Sequence, residues 1–275
     1  MRTLIIPAAG KGSRFFKEGF IEPKPLIRLF TGNVMVVEAL KPFLPHVDRI
    51  ILLLPESISA PQKTALETEL RELLDHRDDV DVHVVLHCIF HQPLGAAFSV
   101  LSAQGLLEED SEVVVLNSDQ VFQEDAIDEW FARIDDSTGQ GLFYDGHILT
   151  FEVEDPEDKR WSFVEKSPED RHGYVTRVVE KQPVSSEATC GAYYFRSWKF
   201  LRQSILKSVT NPENKVNNEF YLAPVYNALI ELLQPMLALR PVRIGTYCIN
   251  QDQFHSLGTP ALLKEWHTKF CPHVD

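Results

Sequence analysis

Residues 3–15 read Thr3-Leu4-Ile5-Ile6-Pro7-Ala8-Ala9-Gly10-Lys11-Gly12-Ser13-Arg14-Phe15, an apolar run that stops in a turn of small residues. The run suits a strand buried on both faces. At its end Ala8, Ala9, Gly10, Gly12 and Ser13 let backbone N–H groups come close to a ligand, and successive exposed N–H groups form a concavity for anions. Arg14 can hold a phosphate in bidentate fashion, and Lys11 adds a point charge. The dinucleotide-binding fingerprint would require a third glycine where Phe15 stands, and the Walker spacing is absent. A tight turn that binds nothing is the plain alternative for this segment taken alone.

Outward from this stretch, short apolar runs alternate with helical patterns. Thr3–Ala8, Arg49–Leu54, Val80–Leu86 and Glu112–Leu116 read as strands, with helices over Val34–Phe43, Pro61–Leu74 and Leu94–Leu107. That alternation predicts right-handed crossovers and an α/β fold with a mainly parallel sheet flanked by helices. Beyond about residue 125 the pattern changes to a meander: Leu142–Val153, Trp161–Glu165, Gly173–Glu180 and Thr189–Phe195, separated by polar turns. Helices over Trp198–Val209 and Glu219–Leu233, a strand at Val242–Ile249 and a helix at Pro260–Phe270 complete the reading. No linker or repeat interrupts it. The expectation is one domain over 1–275, with a nucleotide-binding half (1–140) and an acceptor-binding half (141–275).

Charge narrows the function. The 275 residues carry 40 acidic and 27 basic side chains, a formal net charge of −13, which repels a nucleic-acid backbone. Nucleic acid is therefore not an expected partner, and neither is a membrane, since no stretch approaches a span. The four cysteines, Cys88, Cys190, Cys248 and Cys271, are scattered and form no CxxC. They fit free thiols in a reducing compartment, so a cytoplasmic location is expected. The oligomeric state is open, a homo-oligomer included.

A second basic element follows the loop. In Glu22-Pro23-Lys24-Pro25-Leu26 two prolines pin the backbone around one lysine, which suits a cation aimed at a fixed place. The pairing of AAGKGSRF with PKPLI resembles the N-terminal signature of the sugar-phosphate nucleotidyltransferases, most closely their capsule- and lipopolysaccharide-associated branch. The resemblance implies a Rossmann-like, GT-A-like architecture. It also implies an enzyme that uses a nucleoside triphosphate, Mg²⁺ and a phosphorylated acceptor.

Further segments acquire roles on the same basis. Glu112-Val113-Val114-Val115-Leu116-Asn117-Ser118-Asp119-Gln120 is an apolar strand ending in a carboxylate. Ligands of open α/β sheets bind at that edge, and a hard oxygen there suits Mg²⁺. Asp119 could equally cap the helix starting near Glu124; the resemblance implies the metal role. Asn117, beside it, is taken as nucleotide-binding. In His91-Gln92-Pro93-Leu94-Gly95-Ala96-Ala97, Gln92 has the amide to read a base edge, and the small residues from Gly95 on would admit a flat ring. Val179-Glu180-Lys181-Gln182-Pro183 resembles the family's EKP motif with Gln182 inserted. The implied roles are acceptor phosphate for Lys181 and sugar hydroxyls for Glu180. Gly191, within Thr189–Phe195, would let the acceptor lie against backbone, and Glu219, at the expected start of a helix, is a further acceptor candidate. Ser256-Leu257-Gly258-Thr259-Pro260 resembles a D-x-G-T-P element with Ser256 in place of a metal-binding Asp, leaving Asp252 or substrate oxygens to complete the shell.

The expected chemistry is in-line attack by an acceptor phosphate oxygen on the α-phosphorus, with Arg14, Lys24, Lys181 and Mg²⁺ at Asp119 stabilising charge. A phosphate with its second pKa near about 6 is already largely ionised, so no general base is needed. Two other readings compete: a GT-A-type glycosyltransferase that consumes a nucleotide sugar, and a nucleotide sensor without chemistry.

Overall fold

Strand β1 (Arg2–Pro7) takes the position its composition demands, with Leu4, Ile5 and Ile6 fully buried. The computed structural model describes residues 1–75, 82–90, 93–139, 143–167, 172–235 and 240–271. In it β1 pairs in parallel with β2 (Arg49–Pro55) on one side and β4 (Glu112–Leu116) on the other, and β3 (His83–Ile89) extends the sheet beyond β2. Of the strand expected at Val80–Leu86, residues 80 and 81 lie outside the described residues. Helix α1 (Ser13–Lys17) follows the loop, and α2 (Met35–Leu40), α3 (Ala60–Asp75) and α4 (Ala96–Leu101) lie along the crossovers. Two of these are shorter than the apolar pattern suggested. Pro42 converts the end of the Val34–Phe43 pattern into a 3-10 turn over Lys41–His46. The Leu94–Leu107 pattern is helical only to Leu101, with turns up to Gly105 at φ +85°.

The second half completes the same sheet from the other edge. β9 (Glu187–Phe195) runs antiparallel to β4, β6 (Gly146–Glu152) antiparallel to β9, and β10 (Ile244–Ile249) parallel to β6. The hairpin of β7 (Ser162–Lys166) and β8 (Val175–Glu180) joins β9 through the pair Phe163 and Ala188. The order is β10-β6-β9-β4-β1-β2-β3, a mixed sheet with helices on both faces. One face buries Phe43, Trp130 and Phe131 beneath α2, α3 and α5 (Glu124–Gly139). The other buries Trp198, Leu201, Tyr226 and Leu229 from α6 (Trp198–Val209) and α7 (Val225–Leu233).

Helix α7 starts at Val225, not at Glu219. Asn217 and Asn218, both at positive φ, make a tight turn in which Val216 and Glu219 pair, and Pro224 marks the helix boundary. A second element was not foreseen. Strands β5 (Gln120–Phe122) and β11 (Phe254–Ser256) form a separate antiparallel ribbon whose register sets Ser256 opposite Gln120. Among the described residues no helix is long and apolar enough to cross a membrane.

Burial in this core has one pH consequence. His147 is fully enclosed, Trp130 Nε1 donates to its Nδ1 at 2.8 Å, and burial pushes its pKa down to about 3. An unfolded histidine titrates near 6.5, so below that pH the unfolded chain binds a proton that the folded chain refuses. The contribution is fully present above pH 6.5 and declines towards pH 3, by about 1.4 kcal/mol per pH unit. Urea unfolding of the wild type at pH 7 and pH 5 should therefore differ by about 2 kcal/mol more than unfolding of His147→Gln. Equal pH dependence in the two proteins would overturn the assignment.

Candidate active site

The glycine-rich turn leaves β1 at the carboxyl edge of the sheet. Ala8 spends its N–H on the carbonyl of Leu53 at 2.9 Å, so its part there is to continue the sheet. Gly10 faces open space, with nothing within 4 Å of where a Cβ would sit. Gly12 adopts φ +60°, and a Cβ there would lie 3.2 Å from Cβ of Lys24. This close approach packs the loop directly on the lysine. Ser13 and Arg14 are exposed at the start of α1, and among the described residues Arg14 makes no ion pair. Phe15, in the place of a third glycine, is buried with Ile27, Met35, Leu257 and Trp266 and anchors the loop to α8 (Pro260–Phe270).

Lys24 opens a short 3-10 helix, Lys24–Leu26, with Pro23 and Pro25 on either side. Its Nζ forms an ion pair with Oδ2 of Asp119, two side chains 95 residues apart that are 20% and 17% exposed. Asp119 thus caps no helix: β5 intervenes before α5, and the carboxylate is turned to the loop. Its other oxygen, Oδ1, lies 3.4 Å from Nε2 of Gln120. Gly258 stands over the carboxylate, where a Cβ would be 3.0 Å from Oδ2.

The donor set fits Mg²⁺ in one specific way. That ion commonly takes one or two carboxylates and draws its remaining ligands from phosphates and water. Among the described residues no three His, Cys, Asp or Glu side chains gather as a metal cage. Asp119 supplies one hard oxygen group, and the ribbon brings the Ser256 hydroxyl, not a second carboxylate, beside it. Asp252 is not brought there. It sits at the opposite end of the ribbon, its carbonyl accepting from Gln123 Nε2 at 3.3 Å.

The acceptor candidates form a second cluster. Glu180 ends β8 with its side chain 5% exposed, accepts a hydrogen bond from Ser162 Oγ and lies 3.3 Å from Lys181 Nζ. Burial raises its pKa, against the lowering effects of Ser162 and Lys181. Lys181 adopts φ +57°, rare for a residue with a side chain, which turns it out of the strand. Its ammonium donates to the Tyr221 hydroxyl and lies 3.8 Å from that ring's centroid. Glu219 is exposed and its charge reaches Glu180. Buried Tyr193, its hydroxyl 3.0 Å from Thr189 Oγ1, feels both Glu180 and Asp119, so the two clusters flank one residue.

Two glycines have roles other than those expected. Gly191, at φ +91°, lies where the β6–β9 register shifts, and a Cβ there would come within 2.7 Å of Asn117 Nδ2 and 3.0 Å of Gln120 Cγ. The space it leaves is taken by those side chains and not open to an acceptor, as expected of a bulge glycine against close neighbours. Asn117, just after β4, is fixed against β9, its N–H donating to the Gly191 carbonyl at 2.9 Å. Gly95, at φ +104°, faces the Phe220 backbone, where a Cβ would lie 2.4 Å from the carbonyl oxygen. On that side no flat ring can enter. Gln92 lies outside the described residues. The sequence reading missed Gln120, Ser162, Tyr193 and Tyr221; Gln120 directly follows the candidate Asp119 and Tyr221 stands two residues after the candidate Glu219, so proximity in the chain was the available signal for those two.

Comparison with known proteins gives a family and a fold. A family model described as the MobA-like NTP transferase domain matches residues 4–151. No curated protein sequence matches the chain. Among solved structures, a nucleoside-diphosphate-sugar pyrophosphorylase from Vibrio cholerae RC9 superposes with a TM-score of 0.71 at 19% identity, over 96% of this chain and 98% of that one. The inositol-1-phosphate CTP transferase from T. maritima superposes at 0.60 and 15% identity, over 97% of this chain and 96% of the other. A UTP-bound UGPase from Acinetobacter baumannii gives 0.64 at 18% identity, over 98% and 95%. At these identities the structures establish the shared fold.

Proposed function

The chain belongs to the MobA-like NTP transferase domain family, and from that premise we propose that it transfers a nucleoside monophosphate from a nucleoside triphosphate to a small phosphorylated acceptor. A sugar 1-phosphate is the first choice of acceptor, and cytidine or uridine triphosphate the first choice of donor. The observation that carries this reading is the packing of Gly12 on Lys24 and the pairing of Lys24 with Asp119 at the sheet edge. Glycine turn, pinned cation and carboxylate meet at one edge of the sheet.

In this reading Gly10 and its neighbours admit the phosphates, Arg14 is free to clamp them, and Lys24 meets the departing pyrophosphate. Lys181 holds the acceptor phosphate in line with the α-phosphorus, and Glu180 accepts from acceptor hydroxyls, with Glu219 at the rim. The new P–O bond forms as the bond to pyrophosphate breaks. A magnesium ion held by Asp119 would supply positive charge to offset the negative charge of the reacting phosphates. Asn117 and Gln92 are assigned to the nucleotide, and Gly191 makes room for the side chains of Asn117 and Gln120. We take residues 1–275 as one working unit that acts in the cytoplasm, in the making of activated precursors for capsule or lipopolysaccharide.

The test is pyrophosphate release by the purified chain with each of four triphosphates, crossed with sugar 1-phosphates and non-sugar phosphates. Release that requires one triphosphate and one acceptor class together is the expected result. Release with none, accompanied by consumption of a nucleotide sugar, would replace the proposal with a glycosyltransferase; release with none and no consumption would leave only a binding protein.

A further inference from the structure

Gln120 is 5% exposed, and its amide is used unevenly. Nε2 lies 3.4 Å from Asp119 Oδ1 and 3.3 Å from Ser256 Oγ, while Oε1 is buried without a hydrogen-bond partner. The opposite orientation of the amide would set oxygen against a carboxylate oxygen, so the nitrogen belongs on this side. A buried acceptor left without a partner destabilises a fold. Methionine or leucine would fill the same place without that penalty. The glutamine is therefore explained by what its nitrogen touches. Two more features hold it there: the β5–β11 register that sets Ser256 opposite it, and Gly191, whose missing Cβ makes room for Gln120 Cγ.

We infer that Gln120 is a positioning residue whose amide, shared between Asp119 and Ser256, fixes the orientation of the cation-binding carboxylate. With Lys24 on Oδ2 and Gln120 beside Oδ1, the carboxylate is held from both sides before any substrate arrives. The inference rests on the nucleotidyltransferase reading and on a divalent cation at Asp119. It adds that a chain offering a hydroxyl at Ser256 orients its single carboxylate through a neutral amide.

The experiment compares the full chain with Gln120→Met, which keeps length and removes hydrogen bonding. Three quantities are measured: the thermal midpoint, Mn²⁺ binding in the presence of inorganic tripolyphosphate by electron paramagnetic resonance, and the Mg²⁺ concentration for half-maximal pyrophosphate release. The expected result is a midpoint that is not lowered, since the orphan oxygen is gone. Mn²⁺ binding should weaken about tenfold, with a matching rise in the Mg²⁺ requirement, the size usual for a residue that orients a metal ligand. Ser256→Ala, which removes the amide's other partner at a less buried site, should shift both in the same direction by less. A lowered midpoint with unchanged Mn²⁺ binding would make Gln120 a packing residue and overturn the inference; if the methionine variant does not fold, unchanged binding in Ser256→Ala has the same effect. Wild type that turns over but binds no Mn²⁺ with tripolyphosphate would overturn the inference alone, whereas wild type that does neither would remove the parent reading with it.

Discussion

Asp119→Ala is expected to lower turnover by roughly 10³-fold, the scale of losing a principal charge-stabilising element at the reacting phosphates. The fold should survive. Asp119 interacts with Lys24, Gln120 and, through its carbonyl, the Leu257 N–H, and only the first two depend on its side chain. A partly exposed ion pair contributes about 1 kcal/mol or less to stability, so the thermal midpoint should move by a few degrees at most. The structural alternative, a carboxylate that merely ties down Lys24, predicts the reverse: a small stability loss and near-normal turnover. Initial rates of pyrophosphate release at saturating triphosphate and Mg²⁺, with circular dichroism of the variant, separate the two.

Lys24→Met should lower turnover by about 10²-fold to 10³-fold, and its second effect has the opposite sign. In the free protein Lys24 neutralises Asp119. Removing the ammonium leaves the carboxylate uncompensated, so Mn²⁺ binding in the absence of nucleotide should become tighter while the reaction becomes slower. A residue that only braced the loop would slow the reaction by disorder and would weaken cation binding as well. Titration of Mn²⁺ into wild type and variant, without nucleotide, decides between these. Weaker or equal binding in Lys24→Met would show that Lys24 does not occupy the cation's place at Asp119.

The local elements were legible because their signals are contiguous. Buried parallel strands read as unbroken apolar runs, so β1, β2 and β4 emerged close to their observed limits, and the loop lies wholly within residues 8–15. Asp119 was placed at a strand end by the same logic. Harder to see were features that depend on partners distant in the chain. The ribbon of β5 and β11 has three residues on each side, too few for any period to register, yet it carries Ser256 to Gln120. The glycines at 95 and 191 looked like openings for ligand and proved to be accommodations for the Phe220 backbone and for Asn117. A glycine announces close approach but not by what.

Residue order alone determined the strand, the small-residue turn and the pinned lysine after it, since each follows from steric and hydrogen-bonding rules acting over a few neighbours. Only the tertiary structure decided that Lys24 would neutralise Asp119, that an amide and a hydroxyl would stand on the carboxylate's other side, and that Lys181 would lean on Tyr221. Those pairings join segments tens to more than a hundred residues apart. They are set by strand register and by how closely backbones can approach across the sheet edge, and neither quantity is written in any local stretch of the chain.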